Sequence, residues 1–550
     1  MSRHRRSVRT GRTGRTVKAG ALLSAALLSL TTTACETRTD AEPNAAATSA
    51  ANPNASHAET SSTTPQRLDW NPCTAPSGEE TGTAASEAAD TGKGGKGGKA
   101  RARTATTSPE WECATLRAPL DYAHPDGESI GLALIRAKAT DQAHRIGSLV
   151  FNFGGPGGSG VTTLPAFAED YRNLRTRYDL VSFDPRGVGR SGGVTCMNDK
   201  ELDAYYAEDS TPADKAAEKT LVGRVEQYAK ACEEHSGKML PHVGTANAAR
   251  DMDRIRAALG DPKLYYFGVS YGTELGGVYA HLFPKNVGRA LLDAVVDPES
   301  DPEESALAQA KGFQLALDNY TAACPRTSDN CPTVPQIASL LERLDKNPVP
   351  GTGGRRLTQS QATSGIAQAL YSKEFWDYLT EGVEDAENGD GKILLTLADA
   401  MNGRGPDGHY SSLQASLNAI TCADFSQRYT AEQIEGKVAA FRKASPVFGD
   451  FMAWSLLQCT GWPVKGEWQT PDVSAKGSAP VLVVGNTGDP ATPYEGAHRM
   501  ARELGPGVGV ELTYQGQGHG AYDSGNACVK GVVDAYFLNG TVPESHKVCS

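Results

Sequence analysis

Gly268-Val269-Ser270-Tyr271-Gly272 is the stretch of this chain whose residue types and spacing most directly suggest chemistry. A β-type run, "KLYYFGV", leads into it, and a helical run beginning "TELGG" leads away. Between a strand and a helix, a serine flanked this way sits on a turn too sharp for a Cβ at either neighbouring glycine. The hydroxyl is then lifted into the open at the helix N-terminus as a nucleophile. Such a serine needs a base, and the base needs an orienting acid. Asp489 follows the apolar run "VLVVGNTG", and His519 stands between two glycines after "LTYQGQ". The 30 residues separating them leave room for one helix and one strand. Asp293 and Asp297, near the end of the earlier run "RALLDAVV", are rival acids, and Asp489 is preferred.

A second glycine cluster, "FNFGGPGGSG" from Phe151 to Gly160, fits two chemistries. Gly155-x-Gly157-x-x-Gly160, with Asp184 lying 24 residues further on, has the spacing of a dinucleotide-binding turn. The same bare backbone can instead offer N–H groups to the oxyanion of an acyl transfer. A nucleotide site would leave Ser270, Asp489 and His519 without purpose and would place Pro156 inside the phosphate turn. The oxyanion reading is therefore preferred, with the N–H groups of Gly155 and Tyr271 as the two donors. Asp184 in "FDPRGVGRSG" becomes a structural turn residue, expected to pair with Arg186 or Arg190.

These residues need a scaffold that brings strand ends together. "SIGLALIRAKA", "GSLVFNF", "YDLVSFD", "KLYYFGV" and "RALLDAVV" read as strands. "TANAARDMDRIRAAL" places Met252, Ile255, Ala258 and Leu259 at helical spacing between the third and fourth of them. Strand–helix–strand alternation implies a mostly parallel sheet with right-handed crossovers. Residues 299–470 read as helices and loops, a cap inserted before strand character returns in "APVLVVGN" and "VGVELTYQ". The order Ser270, Asp489, His519 is that of the α/β-hydrolase fold. The expected layout is an N-terminal core part over 111–298, a helical cap over 299–470 and a C-terminal core part over 471–550.

Residues 1–34 carry seven Arg and Lys, no acid and the short apolar run "AGALLSAALLSL", the pattern of an export signal. Removing them takes the formal net charge from −11 to −18, which disfavours nucleic acid and anionic membrane surfaces as partners. "TTTAC" resembles a lipobox, with Thr32 where Leu or Val is usual, and makes Cys35 the expected lipid attachment site; ordinary cleavage nearby is the alternative. Residues 35–110 are rich in Ala, Ser, Thr and Gly and read as tether or propeptide, with "WNPC" and "WECATLRAPLDY" as anchored ends. Ten cysteines remain, an even number suited to an oxidising compartment. Their order suggests Cys73–Cys113, Cys196–Cys232, Cys324–Cys331, Cys422–Cys459 and Cys528–Cys549. No spacing among them resembles a metal site.

Taken in order, "GGPGGSG", "DPRGVGRS", "GVSYGTELGG", "GDPATP" and "GQGHG" resemble the secreted tripeptidyl aminopeptidase branch of the prolyl-aminopeptidase-like serine peptidases. The resemblance runs from about residue 111 to the end. It implies an exported actinobacterial enzyme, in some members a lipoprotein, with an α/β-hydrolase core, a helical cap, a Ser–Asp–His triad and no cofactor. Phe153 departs from the His-Gly-Gly-Pro that usually opens the loop, which weakens any transfer of proline preference. The expected activity is release of short peptides, tripeptides above all, from free N-termini. Asp424 in "AITCADF" is the candidate anchor for the substrate's amine, since Cys422 beside it can be held rigid; a helix-end aspartate satisfied by backbone is the plainer reading. A carboxylesterase and a non-catalytic peptide-binding lipoprotein are the alternatives.

Overall fold

A computed structural model describes residues 66–75, 109–324 and 330–550. The export segment 1–34, Cys35 and most of the 35–110 stretch lie outside the described residues.

Strands of three to nine residues build the sheet. Its strands are β1 (Asn71–Cys73), β2 (Trp111–Pro119), β3 (Ser129–Ala137), β4 (Gly147–Asn152), β5 (Tyr178–Phe183), β6 (Leu264–Val269) and β7 (Val287–Asp293). After a two-stranded ribbon of β8 (Val349–Pro350) and β9 (Arg356–Leu357) come β10 (Val481–Gly488), β11 (Gly509–Gln517) and β12 (Lys547–Cys549). The main sheet has the order β1-β2-β3-β5-β4-β6-β7-β10-β11-β12. Pairing is antiparallel from β1 through β3 to β5 and parallel across every later pair. The seven strands read from apolar runs are all present. β2 forms where the sequence suggested only an anchored end, and β1, β12 and the β8–β9 ribbon are further additions, too short to show a period.

The central strands are buried on both faces, as a parallel sheet covered by helices requires. In β4, Val150 joins one apolar cluster with Met252, Ile255 and Leu275, while Leu149 and Phe151 join another with Phe267, Val484 and Phe537. That alternation is the two-residue period of a strand. A third cluster, including Phe313, Leu340, Ile366 and Phe448, is the core of the helical cap between β7 and β10. The cap runs from the helix Pro302–Ala323 to the helix Gly449–Trp454.

All five expected disulfides form. Cys73–Cys113 ties β1 to β2, so "WNPC" is stitched to the sheet across 40 residues of sequence. Cys422–Cys459 staples the end of the helix Leu413–Asp424 to the segment leaving the cap.

Candidate active site

Parallel strands deliver the chemistry to one edge. Gly155 follows β4, Ser270 follows β6, Asp489 follows β10 and His519 follows β11, all at the C-terminal ends of strands that run the same way.

The turn at Ser270 shows why its neighbours are glycines. A Cβ on Gly268 would lie 2.4 Å from Gly272 O, and one on Gly272 would lie 2.5 Å from Asn152 O. Ser270 itself has φ 58° and ψ −127°, a conformation that costs a non-glycine residue about 1–3 kcal/mol. Its N–H donates to Asp293 O at 3.0 Å, and its carbonyl accepts from Thr273 Oγ1 at 2.6 Å. The helix Tyr271–Leu282 then begins, with the serine at its N-terminus.

The glycine loop packs directly on this elbow. A Cβ on Gly154 would meet Ser270 Cβ at 2.7 Å. The Gly154 N–H is occupied by Asn152 Oδ1 at 3.0 Å. The N–H groups of Gly155 and Tyr271 have no acceptor among the described residues, so two donors remain free beside the serine. Asp184 does not project toward a ligand. Its carboxylate accepts from Ser159 Oγ, from Val161 N–H and from the backbone N–H of Arg190. Arg186 turns away from it and pairs with Asp251.

His519 and Asp489 meet as the sequence order demands. The imidazole Nδ1 lies 2.9 and 3.1 Å from the two Asp489 oxygens. Asp489 Oδ1 also accepts from the N–H groups of Ala491 and Thr492, at 3.0 and 2.9 Å. Thr492 Oγ1 donates to Asp489 Oδ2 and stands 3.3 Å from His519 Nδ1, a contact that sequence reasoning missed. The cap reaches in as well: Tyr371 O accepts from the His519 N–H at 2.8 Å, and its ring stands edge-on to the imidazole. Burial pushes the imidazole pKa down. The charge and hydrogen bond of Asp489, with Asp293 behind, outweigh that and leave it raised. With Nδ1 held by Asp489, the neutral ring presents Nε2 as its free acceptor.

The rival acids have other work. Asp297 pairs with Arg499 at 2.7 Å and accepts from Ser300 Oγ. Asp293 is buried and accepts from the N–H groups of Ala521 and Tyr522, just past His519, while its own carbonyl holds Ser270. It therefore fastens the elbow and the histidine loop together. Burial pushes Asp293 up to about 6; the Tyr522 and Ala521 N–H groups oppose this, the Asp489 charge adds to it and His519 opposes it.

A cavity of about 310 Å³ opens over Ser270, Gly155 and Tyr271, roofed by cap residues such as Tyr429 and Met452. Glu274, Asp297 and Asp424 line it, and among the described residues no Lys, Arg or His does. Asp424 is buried with both oxygens engaged: Thr245 N–H donates to one and Thr245 Oγ1 to the other, each at 2.7 Å. Tyr271 O–H in turn donates to Thr245 Oγ1 at 2.5 Å. Glu274 is 5% exposed and makes no hydrogen bond or ion pair among the described residues. Sequence reasoning passed over it, an acid in the first turn of the helix that follows the serine. Burial raises its pKa; Asp424 is raised too, by burial first and then by the charge of Glu274. Among the described residues, no group of three or more His, Cys, Asp or Glu side chains is placed to hold a metal ion.

Residues 445–549 match the family model described as TAP-like protein. The chain is 38% identical over 456 residues to serine protease Hip1 of Mycobacterium tuberculosis, covering 80% of this chain and 87% of that one. It is 36% identical over 456 residues to carboxylesterase B of the same organism, covering 80% and 86%. It is 32% identical over 482 residues to tripeptidyl aminopeptidase of Streptomyces lividans, covering 82% and 88%.

Proposed function

This chain belongs to the TAP-like serine peptidases of the α/β-hydrolase fold, and from that premise we propose that it releases short peptides, tripeptides above all, from free N-termini. Ser270 Oγ attacks the scissile carbonyl while His519 Nε2 takes its proton. The N–H groups of Gly155 and Tyr271 hold the oxyanion. His519 then gives its proton to the leaving amine, and water repeats the sequence on the acyl-enzyme. Asp489 keeps the imidazole in the required tautomer and stabilises its cation.

The observation that carries the exopeptidase reading is the acidic cavity over Ser270, where Glu274 and Asp424 have no cationic partner among the described residues and a third carboxylate, Asp297, is paired with Arg499. A protonated amine is the natural partner of such a wall. Asp424, the sequence candidate for that contact, is part of it.

A panel of free and N-acetylated peptide anilides beside simple esters tests the reading. Free tripeptide anilides should be turned over orders of magnitude faster than their acetylated counterparts. Equal turnover would hand the function to a carboxylesterase or an endopeptidase, an alternative that similarity to carboxylesterase B favours. Labelling of Ser270 by a fluorophosphonate separates an enzyme from a peptide-binding protein of the same fold. The five disulfides support export, and Cys35 is the proposed lipid attachment site. Mass spectrometry of the mature N-terminus tests the latter.

A further inference from the structure

Buried carboxylates in folded proteins are paired or hydrogen-bonded, because a lone charge away from water is costly. Glu274 has no hydrogen-bond partner among the described residues, and its carboxylate opens to the cavity. It lies on the helix Tyr271–Leu282, one turn beyond Ser270, nine-tenths buried, facing the cavity, with no partner among the described residues. Asp424 in the same cavity wall repels rather than pairs with it. No partner of opposite charge stands beside it among the described residues, and the site lies within reach of a substrate bound at Ser270. Ser270 and Glu274 line the same cavity, Glu274 in the first turn of the helix that the serine precedes. An extended peptide advances about 3.3–3.6 Å per residue. A group one to three residues upstream of the scissile bond therefore falls near the Glu274 carboxylate.

We infer that Glu274 is the residue that receives the substrate's primary ammonium group, and that Asp424 acts behind it as a positioning residue. The division of labour follows from their contacts. Both oxygens of Asp424 are committed to Thr245, which accepts from the Tyr271 hydroxyl. Asp424 thereby holds Tyr271, whose N–H is one of the two free donors beside the serine. Glu274 has no such commitment. An ammonium entering the cavity converts an uncompensated buried carboxylate into a charge-assisted hydrogen bond. This rests on the reading of the cleft as a serine hydrolase site, and it moves the contact with the amine from Asp424 to Glu274.

The ammonium has two possible sources, the peptide N-terminus and a lysine side chain next to the scissile bond. Glu274→Gln, Glu274→Asp and Asp424→Asn should be compared with the wild type on four probes. These are Ala-Ala-Ala p-nitroanilide, its N-acetyl form, N-acetyl-Ala-Ala-Lys p-nitroanilide and p-nitrophenyl acetate. Glu274→Gln should lower kcat/KM for the free-amine peptide, relative to the ester, by roughly 10- to 100-fold, mostly through KM. Glu274→Asp should recover part of that preference, which a variant lost to misfolding cannot do. Asp424→Asn should lower the anilides and the ester together, mostly through kcat. If the selective loss falls on the lysine probe instead, Glu274 still binds the ammonium, but the N-terminal exopeptidase reading fails. If Glu274→Gln changes all four probes by one factor, the inference is overturned. A wild type that still prefers free amines over acetylated ones would then leave the exopeptidase reading standing.

Discussion

The helix Thr245–Ala258 touches two deep polar clusters that are built in opposite ways. On one side, Asp251 meets Arg186, both fully buried, in two hydrogen bonds of 2.7 Å. The remaining guanidinium donors reach the carbonyls of Leu120, His242 and Pro119, and Tyr122 O–H donates to the same aspartate. At the start of the helix, Thr245 binds Asp424 in the wall of the cleft, where Glu274 and two backbone N–H groups have no partner among the described residues. The first cluster is closed and has nothing left to offer a ligand. The second is unfinished until something enters. Buried polarity that is satisfied holds a fold together, whereas buried polarity left open marks where chemistry happens.

The largest effect expected from this contrast is on activity without stability. Ser270→Ala should cut kcat/KM on peptide anilides by roughly 10⁴- to 10⁶-fold while the melting temperature stays within a few degrees of wild type. His519→Ala should cost about as much, and the double variant little more, because the pair acts as a unit. Residual turnover near the wild-type level in Ser270→Ala would remove the cleft from the chemistry altogether.

The closed cluster should behave in reverse. Arg186→Ala leaves Asp251 as a buried, unpaired charge and strips donors from three carbonyls, and it should destabilise the fold by about 3–5 kcal/mol. Adding Asp251→Leu should recover only part of the loss, since the carbonyls of Leu120, His242 and Pro119 remain without a donor. Denaturant melts of the single and double variants decide it. A single variant as stable as wild type would mean that closure of this cluster contributes nothing to the fold.

Asp293 lies between the two extremes, satisfied by backbone yet electrostatically tied to the site. Asp293→Asn should reduce kcat by roughly 10- to 100-fold, because the Ala521 and Tyr522 N–H groups that seat the histidine loop lose half their acceptor. It should also move the acid limb of the kcat/KM profile to lower pH. The Asp293 charge helps to raise the His519 pKa, so its removal lets that pKa fall. A purely structural role would reduce the rate without moving the limb.

The two clusters also differ in how far they could be read from sequence. Ser270, Asp489 and His519 stand at strand ends beside glycines, so local composition announces them, and the order of three strand–loop units supplies the fold. Seven of the eight longer strands carry enough apolar residues to show themselves; β2, interrupted by Glu112, Thr115 and Arg117, does not. β12 has three residues and is held by Cys528–Cys549 and by the His546 N–H donating to Glu511 O, neither of which a short run can signal. Arg186 looked like a partner for Asp184, two residues away, because sequence shows near neighbours; its actual partner is 65 residues on. Glu274 was invisible for the same reason. In "YGTELGG" it is an ordinary helix acid, and its lack of a partner depends on Asp424, 150 residues later. Open polarity is a property of the assembled cavity.

The smallest predicted effect tests that openness without substrate. Burial raises the Glu274 pKa to about 7 from an ordinary value near 4.5. Between those two values the unfolded chain has already lost the proton that the folded protein still holds. Stability therefore falls as pH rises through this window, and above it the full cost of the buried charge is present. Asp424 and Tyr271 are titratable groups beside it; burial holds the Tyr271 hydroxyl well above its usual range, so it stays neutral here, and Asp424 is itself pushed up by burial and by the Glu274 charge. Neither of them compensates the charge. Glu274→Gln removes the cost and also eases Asp424. Glu274→Gln should accordingly be more stable than wild type by about 2 kcal/mol at pH 8, with the gap closing toward pH 5. Arg186→Ala should be less stable than wild type at both pH values, since it opens a cluster that was closed. Denaturant melts at pH 5 and pH 8 measure both variants side by side. If Glu274→Gln is the less stable protein at pH 8, Glu274 has a partner in the folded state, and the distinction between the open and the closed cluster is lost.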